Sequence, residues 1–201
     1  MRDNGPMPRI DAPTVAEHHV MRRRAIVSAA RDLLGSAGAS AVTPAAVAGR
    51  SGLARTSVYQ YFPSTGALLA AAVEATFVDA NDALADAVAD APGGDPRSRI
   101  HAYVQVGLRL AARDHGPFHQ LTLTGLPPEC TDRVRELHDA LLAPLRAAVE
   151  ELGVRDTTLV TGLVFGAISA AVQLVDHGRD LDETTAGTLA FIDAGLAAAA
   201  C

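Results

Sequence analysis

Tryptophan and lysine are absent from the 201-residue chain, cysteine occurs twice, and aromatic residues make up only 4% of it. Cys130 and the terminal Cys201 cannot build a disulfide framework, and the opening Met1-Arg2-Asp3-Asn4-Gly5-Pro6 holds no apolar run of the signal-peptide kind. A reducing cytoplasm is the expected location. With no lysine, all 17 basic residues are arginine, so every cationic contact to a phosphate would be made by a planar guanidinium. The missing aromatics are offset by alanine, the strongest helix former, at 40 of 201 positions. An all-α fold of about nine helices is the expectation.

The net charge of −6 argues against nucleic acid only as an average. Residues 1–62 carry eight arginines against four acidic residues, a net +4, and the remainder is net −10. The basic third is where an anionic partner belongs.

Residues 1–14 hold three prolines and no apolar period, and read as a flexible arm. From Val15 the apolar residues Met21, Ile26, Ala29, Ala30, Leu33 and Leu34 recur at three and four residue steps until Gly38, which marks a first long helix with Arg22, Arg23 and Arg24 near its start. Thr43-Pro44 opens a second, short helix that ends near Gly52, because the Thr hydroxyl can cap free amides and Pro at the first helical position gives up no useful donor. A third runs from Arg55 to Tyr61 and is broken by Pro63, and Ser64 caps a fourth reaching about Asp90. Past the turn at 90–96, helical patterns resume at 97–114, 117–124, 128–152, 156–177 and 182–199, with Pro144 expected to bend the third of these.

The short helices meet the demands of a helix-turn-helix. Ala48 is small where two helices cross, Gly52 tolerates the positive φ of the turn, and Val58 supplies a branched residue to the shared core, with Val47, Leu53 and Tyr61 completing it. Arg55, Thr56, Ser57, Tyr59 and Gln60 are left on the outer side of the second helix. Arginine can bond guanine and glutamine adenine in the major groove, whereas hydroxyls more often reach phosphates.

The run from Val42 to Leu69, with TPAAVAGRSGLARTSVYQYFPSTGALL inside it, resembles the DNA-binding domain of the TetR family of transcriptional regulators. The resemblance rests on a helix-turn-helix ending in Tyr-x-Tyr-Phe, followed by a capped helix and preceded by one amphipathic helix. It implies that Tyr59 and Tyr61 lie near the DNA backbone, that Thr43 caps its helix close to a phosphate, and that Phe62 anchors the fourth helix. Members commonly carry lysine just after the Tyr-x-Tyr-Phe turn; this chain has Thr65-Gly66, where a backbone amide can still meet a phosphate. The expected division is a DNA-binding domain at 15–63 and a helical ligand-binding and dimerisation domain at 64–201.

The acidic remainder includes Thr157 to Val175, 19 residues without a charge and long enough to span a bilayer. Thr157, Thr158, Thr161, Ser169 and Gln173 within it, and acidic ends without a basic cluster, favour a buried helix over a membrane span. Gly162, Gly166 and Ala170 form a ladder of small residues, and Ala190 and Ala194 repeat the style in the last helix. These five are candidate dimer contacts, in keeping with the four-helix dimer interface that the family resemblance implies. Tyr103, Phe118, His119, Phe165 and Gln173 are candidates to line a cavity for a small apolar molecule.

Five of the seven histidines fall between residues 101 and 177; none forms a Glu-x-x-His pair, and the one His-x-x-x-His spacing, His115 to His119, is interrupted by Gly116-Pro117, so no metal is expected. No cofactor fingerprint appears, and no nucleophile, base and orienting group converge in sequence, so no enzyme is expected either. The reading is a homodimeric repressor released from an inverted-repeat DNA operator by a small-molecule inducer. A helical-bundle enzyme and a DNA-binding regulator without small-molecule input stand as its alternatives.

Overall fold

The computed structural model describes residues 15–113 and 128–199, which form eight α-helices and one short 3-10 turn. In chain order these are α1 (Val15–Ala37), the turn Ala39–Ala41, α2 (Pro44–Ser51), α3 (Arg55–Tyr61), α4 (Thr65–Ala89), α5 (Pro96–Arg113), α6 (Pro128–Glu151), α7 (Thr157–Asp176) and α8 (Leu181–Ala199). The helix expected at 117–124, with Phe118 and His119, lies outside the described residues, as do the arm at 1–14 and Cys201.

The helix starts follow local chemistry. Thr43 Oγ1 accepts from the Ala46 amide at 3.2 Å and Ser64 Oγ from the Ala67 amide at 3.0 Å, while Asp156 Oδ1 takes the Leu159 amide at 2.9 Å. Gly38 ends α1 at φ 78, but the chain does not pass directly to α2. Ala41 and Val42 donate back to Gly38 and Ala39 in i to i+3 fashion, and this extra turn delivers Val42 fully buried into the core. Pro144 lies inside α6, which continues through it to Glu151; the expected bend leaves no break in the helix.

Packing runs continuously along the molecule. α1 packs on α2 and α4, α2 on α3, and α4 in turn on α5 and α6; α7 closes against α5, α6 and α8. A single apolar core joins Ile26, Val58, Phe62 and Leu68 at one end to Ile100, Leu145 and Ile168 at the other. Two polar side chains reach the backbone of α6 one turn apart: Asn81 of α4 donates to the Leu137 carbonyl at 3.3 Å, and Tyr103 of α5 to the Leu141 carbonyl at 3.0 Å. Ion pairs tie the same helices at the surface: Arg31 with Asp79 joins α1 to α4, Arg133 with Glu74 joins α6 to α4, and Arg99 with Glu151 joins α5 to α6.

α7 is long and apolar enough to cross a membrane. Val160, Val164, Ile168, Ala171 and Val172 are buried along its inner face, whereas Leu159, Leu163 and Leu174 are exposed along its outer one.

Candidate nucleic-acid interface

The α2–α3 pair is built around a narrow crossing. Ala48 and Val47 of α2 and Val58 of α3 are buried, and Gly52 turns the chain at φ 70, a left-handed value that L side chains rarely adopt. The Leu53 amide then returns to the Ala48 carbonyl at 3.1 Å, which closes the turn. With Val58 fully buried and Tyr61 half-buried, α3 has one inward face, and Arg55, Thr56, Tyr59 and Gln60 are exposed on the other with Ser57 at its margin. Arg55 Nη2 donates to Tyr59 Oη at 3.4 Å, and Arg55 Cζ stands 5.7 Å from the Tyr59 ring centroid.

The first turns of α1 lie over the end of α3. The His19 ring is 4.6 Å from that of Tyr61, tilted by 39°, and Arg23 Cζ is 5.3 Å from the ring of buried Phe62. Arg22, Arg23 and Arg24 are all exposed there, so the basic triplet and the recognition-helix candidates occupy one end of the molecule. Thr43 and Thr65 are exposed at the openings of α2 and α4, whose first amides have few partners within their own helices. Arg50 faces elsewhere, toward Asp32 at 3.4 Å. Sequence reasoning missed His19 and the aromatic partner of Arg23, since neither contact leaves a local pattern.

The cavity candidates are brought together only in part. Tyr103 is buried with its hydroxyl on the Leu141 carbonyl, and burial pushes its phenol well above the usual range. Phe165 is half-buried and meets His138 edge-on at 5.4 Å, so these two rings face the same stretch of α6. Gln173 does not join them. Its side chain is exposed, because residues 162, 166, 170 and 173 fall on one helical stripe, opposite the inward Val160, Val164 and Ile168.

That outer stripe meets α8 across an open groove of about 590 Å³, lined by Ala167, Ala170, Leu174, Thr184, Gly187 and Phe191 among others. Gly162, Gly166, Ala170, Ala190 and Ala194 are all exposed, and a Cβ added at either glycine would meet nothing within 4 Å. Leu163 and Phe191 beside them are 62% and 69% exposed. Among the described residues, no three His, Cys, Asp or Glu side chains gather as metal ligands.

Residues 26–72, which include the crossing, the turn and the first turns of α4, match the family model for bacterial regulatory proteins of the tetR family. Over this segment the chain resembles the tetR family. The fold beyond it is also of the tetR type. A TetR-like transcriptional regulator from Rhodococcus sp. RHA1 superimposes with a TM-score of 0.72 at 21% identity, over 96% of this chain and 99% of that one. The fatty acid degradation regulator FadR from Bacillus halodurans gives 0.71 at 19% identity, over 85% of this chain and 94% of that one. The FadR regulator from Bacillus subtilis, solved in complex with stearoyl-CoA, gives 0.70 at 18% identity, over 84% and 96%. Comparison with curated protein sequences finds no match. The chain thus has the architecture of a tetR-type transcriptional regulator, an N-terminal helix-turn-helix followed by a helical remainder.

Proposed function

We propose that this chain is a cytoplasmic, homodimeric transcriptional repressor that reads an inverted-repeat DNA operator through α3 and is released from it by a small apolar molecule. The observation that carries the reading is the polar outer face of α3, where Arg55, Thr56, Tyr59 and Gln60 stand exposed on a helix whose opposite side is locked by Val58. Arg55 and Gln60 have the donors and acceptors to read guanine and adenine edges in the major groove. Thr43, Ser57, Tyr61, Thr65 and Arg22 to Arg24 surround that face with groups suited to phosphates. Residues 15–63 then serve as the reading unit and 64–201 as the sensing and dimerising unit.

The outer faces of α7 and α8, with Gly162, Gly166, Ala170, Ala190 and Ala194, serve as the dimer contact, because two copies meeting there cover Leu163 and Phe191. The inducer enters beside Tyr103 and Phe165, with Phe118 and His119 as further candidate contacts. One of the similar folds is a fatty acid degradation regulator and another was solved with stearoyl-CoA bound, which favours a long apolar ligand here as well. The net −10 of residues 63–201 opposes a polyphosphate headgroup, so an uncharged apolar molecule fits this chain better than an acyl-CoA. Neither an enzymatic reaction nor a membrane has a part in this reading.

Selection from a pool of random duplexes with the purified full-length protein tests it. The expected outcome is an inverted repeat whose half-site centres are about 34 Å apart, or a multiple of that. Arg55→Ala is expected to lose about 1 to 3 kcal/mol on the selected site with little change on random duplex. Arg22→Ala is expected to weaken both alike and to flatten the salt dependence. A pool that yields no preferred sequence overturns the assignment.

A further inference from the structure

Tyr59 follows Arg55 by one helical turn, and the two side chains touch: Arg55 Nη2 donates to Tyr59 Oη at 3.4 Å, with Arg55 Cζ 5.7 Å from the ring centroid. Val58, between them in sequence, is fully buried, so α3 cannot roll to turn the pair inward or to part it. The other arginine and ring in contact among the described residues, Arg23 and Phe62, join two helices, α1 and the end of α3. Arg55 and Tyr59 belong to one helix and, among the described residues, brace no second element, and both are exposed. What their contact restricts is the guanidinium itself.

An exposed arginine samples many rotamers, and docking it on a ring removes part of that freedom before a ligand arrives. Its outward N–H groups still form the planar fork that matches the O6 and N7 acceptors of guanine. A tyrosine hydroxyl bound to phosphate serves every sequence alike. One that accepts from Arg55 also acts through the side chain that discriminates.

We propose that Tyr59 is a positioning residue for base reading, holding the Arg55 guanidinium in one arrangement for the acceptor edge of a guanine, and that it sets specificity instead of gripping the DNA backbone. This rests on the reading role given to α3 above and departs from the backbone place that the family resemblance implies for Tyr59.

The test uses the full-length protein on its selected duplex and on duplexes changed at single base pairs, with random duplex as the reference. Arg55→Ala identifies the base pair at which guanine preference depends on Arg55. At that base pair Tyr59→Leu is expected to lower the preference by about two- to fivefold, with affinity for random duplex unchanged. Tyr59→Phe, which keeps the ring, is expected to retain most of the preference, and Tyr59→Leu in an Arg55→Ala background to change it no further. Tyr59 is 42% exposed, so melting temperatures of the variants should match that of the parent. Equal losses on selected and random duplexes return Tyr59 to the phosphates and overturn the proposal. Guanine preference that survives Tyr59→Leu, or that never depended on Arg55, overturns it as well. A parent protein with no preferred duplex overturns the reading role of α3 itself, so the two failures are told apart.

Discussion

Gly52 stands at φ 70 with open space where a side chain would begin, so a substitution there meets a backbone penalty and no clash. Gly52→Ala is expected to lower stability by about 1 to 2 kcal/mol, the left-handed penalty of an L residue. Gly52→Asn is expected to lose less, because asparagine visits that region more readily. Thr43→Ala removes the acceptor of the Ala46 amide and is expected to cost about 1 kcal/mol. Urea unfolding of the three variants checks all of this at once, and equal stability of the alanine and asparagine variants would speak against a left-handed turn. These residues were legible in the sequence because their chemistry is local. A cap or a turn is settled within four residues, and Thr43-Pro44, Gly52 and Ser64 each carry it in their own identity. Gln173 is the opposite case: a lone polar residue in an apolar helix points to a cavity, while its spacing from Gly162, Gly166 and Ala170 places it on the exposed outer stripe.

The described helices were readable to within a residue or two, since their apolar period repeats over many turns. The 3-10 turn at Ala39–Ala41 was not, because three residues leave no period to detect. The ties between helices were equally hidden: Arg31 and Asp79 are 48 residues apart, and Arg133 and Glu74 are 59 apart. Two such arrangements give α5 a measurable acid response. At its start, Ser98 chiefly, with the Arg97 amide, holds the Asp95 carboxyl below the usual carboxylate range, and along its length the Arg99 guanidinium does the same for Glu151. Both groups are lowered in the folded state. Their contribution is therefore complete above the ordinary carboxylate pKa of about 4 and is lost as pH falls through the lower folded values. Glu151→Gln and Asp95→Asn are each expected to flatten the stability curve between about pH 5 and pH 2 while leaving its slope near neutrality alone. Both sites are exposed, so the change is small and is best read from urea midpoints taken across that range.

At the scale of the whole molecule, the outer face of α7 and α8 is the proposed dimer contact. Leucine at position 166 would hold a partner helix away from the small-residue ladder, so Gly166→Leu is expected to give monomers or aggregate in light scattering where the parent gives dimers. A dimer of unchanged affinity would remove this face from the interface. Loss of the dimer should also abolish tight binding to the inverted repeat and leave only weak binding to a single half-site. In a dimer, an inducer that alters the spacing of the two reading helices is expected to lower operator affinity by about 5- to 150-fold, and operator must weaken inducer binding by the same factor. A final consequence lies in α4, which answers to α1 through Asp79 and to α6 through Glu74 within five residues of each other. The short peptide between α3 and α4 is not the only link between head and body, because α1 packs along α4. A chimera that exchanges heads at residue 63 strips α1 of the helix that covers it, so a transplantable head has to run past Asp79 and carry part of the body along. Under the proposed function, operator choice and ligand sensing are then not separate cassettes but are inherited through one shared helix.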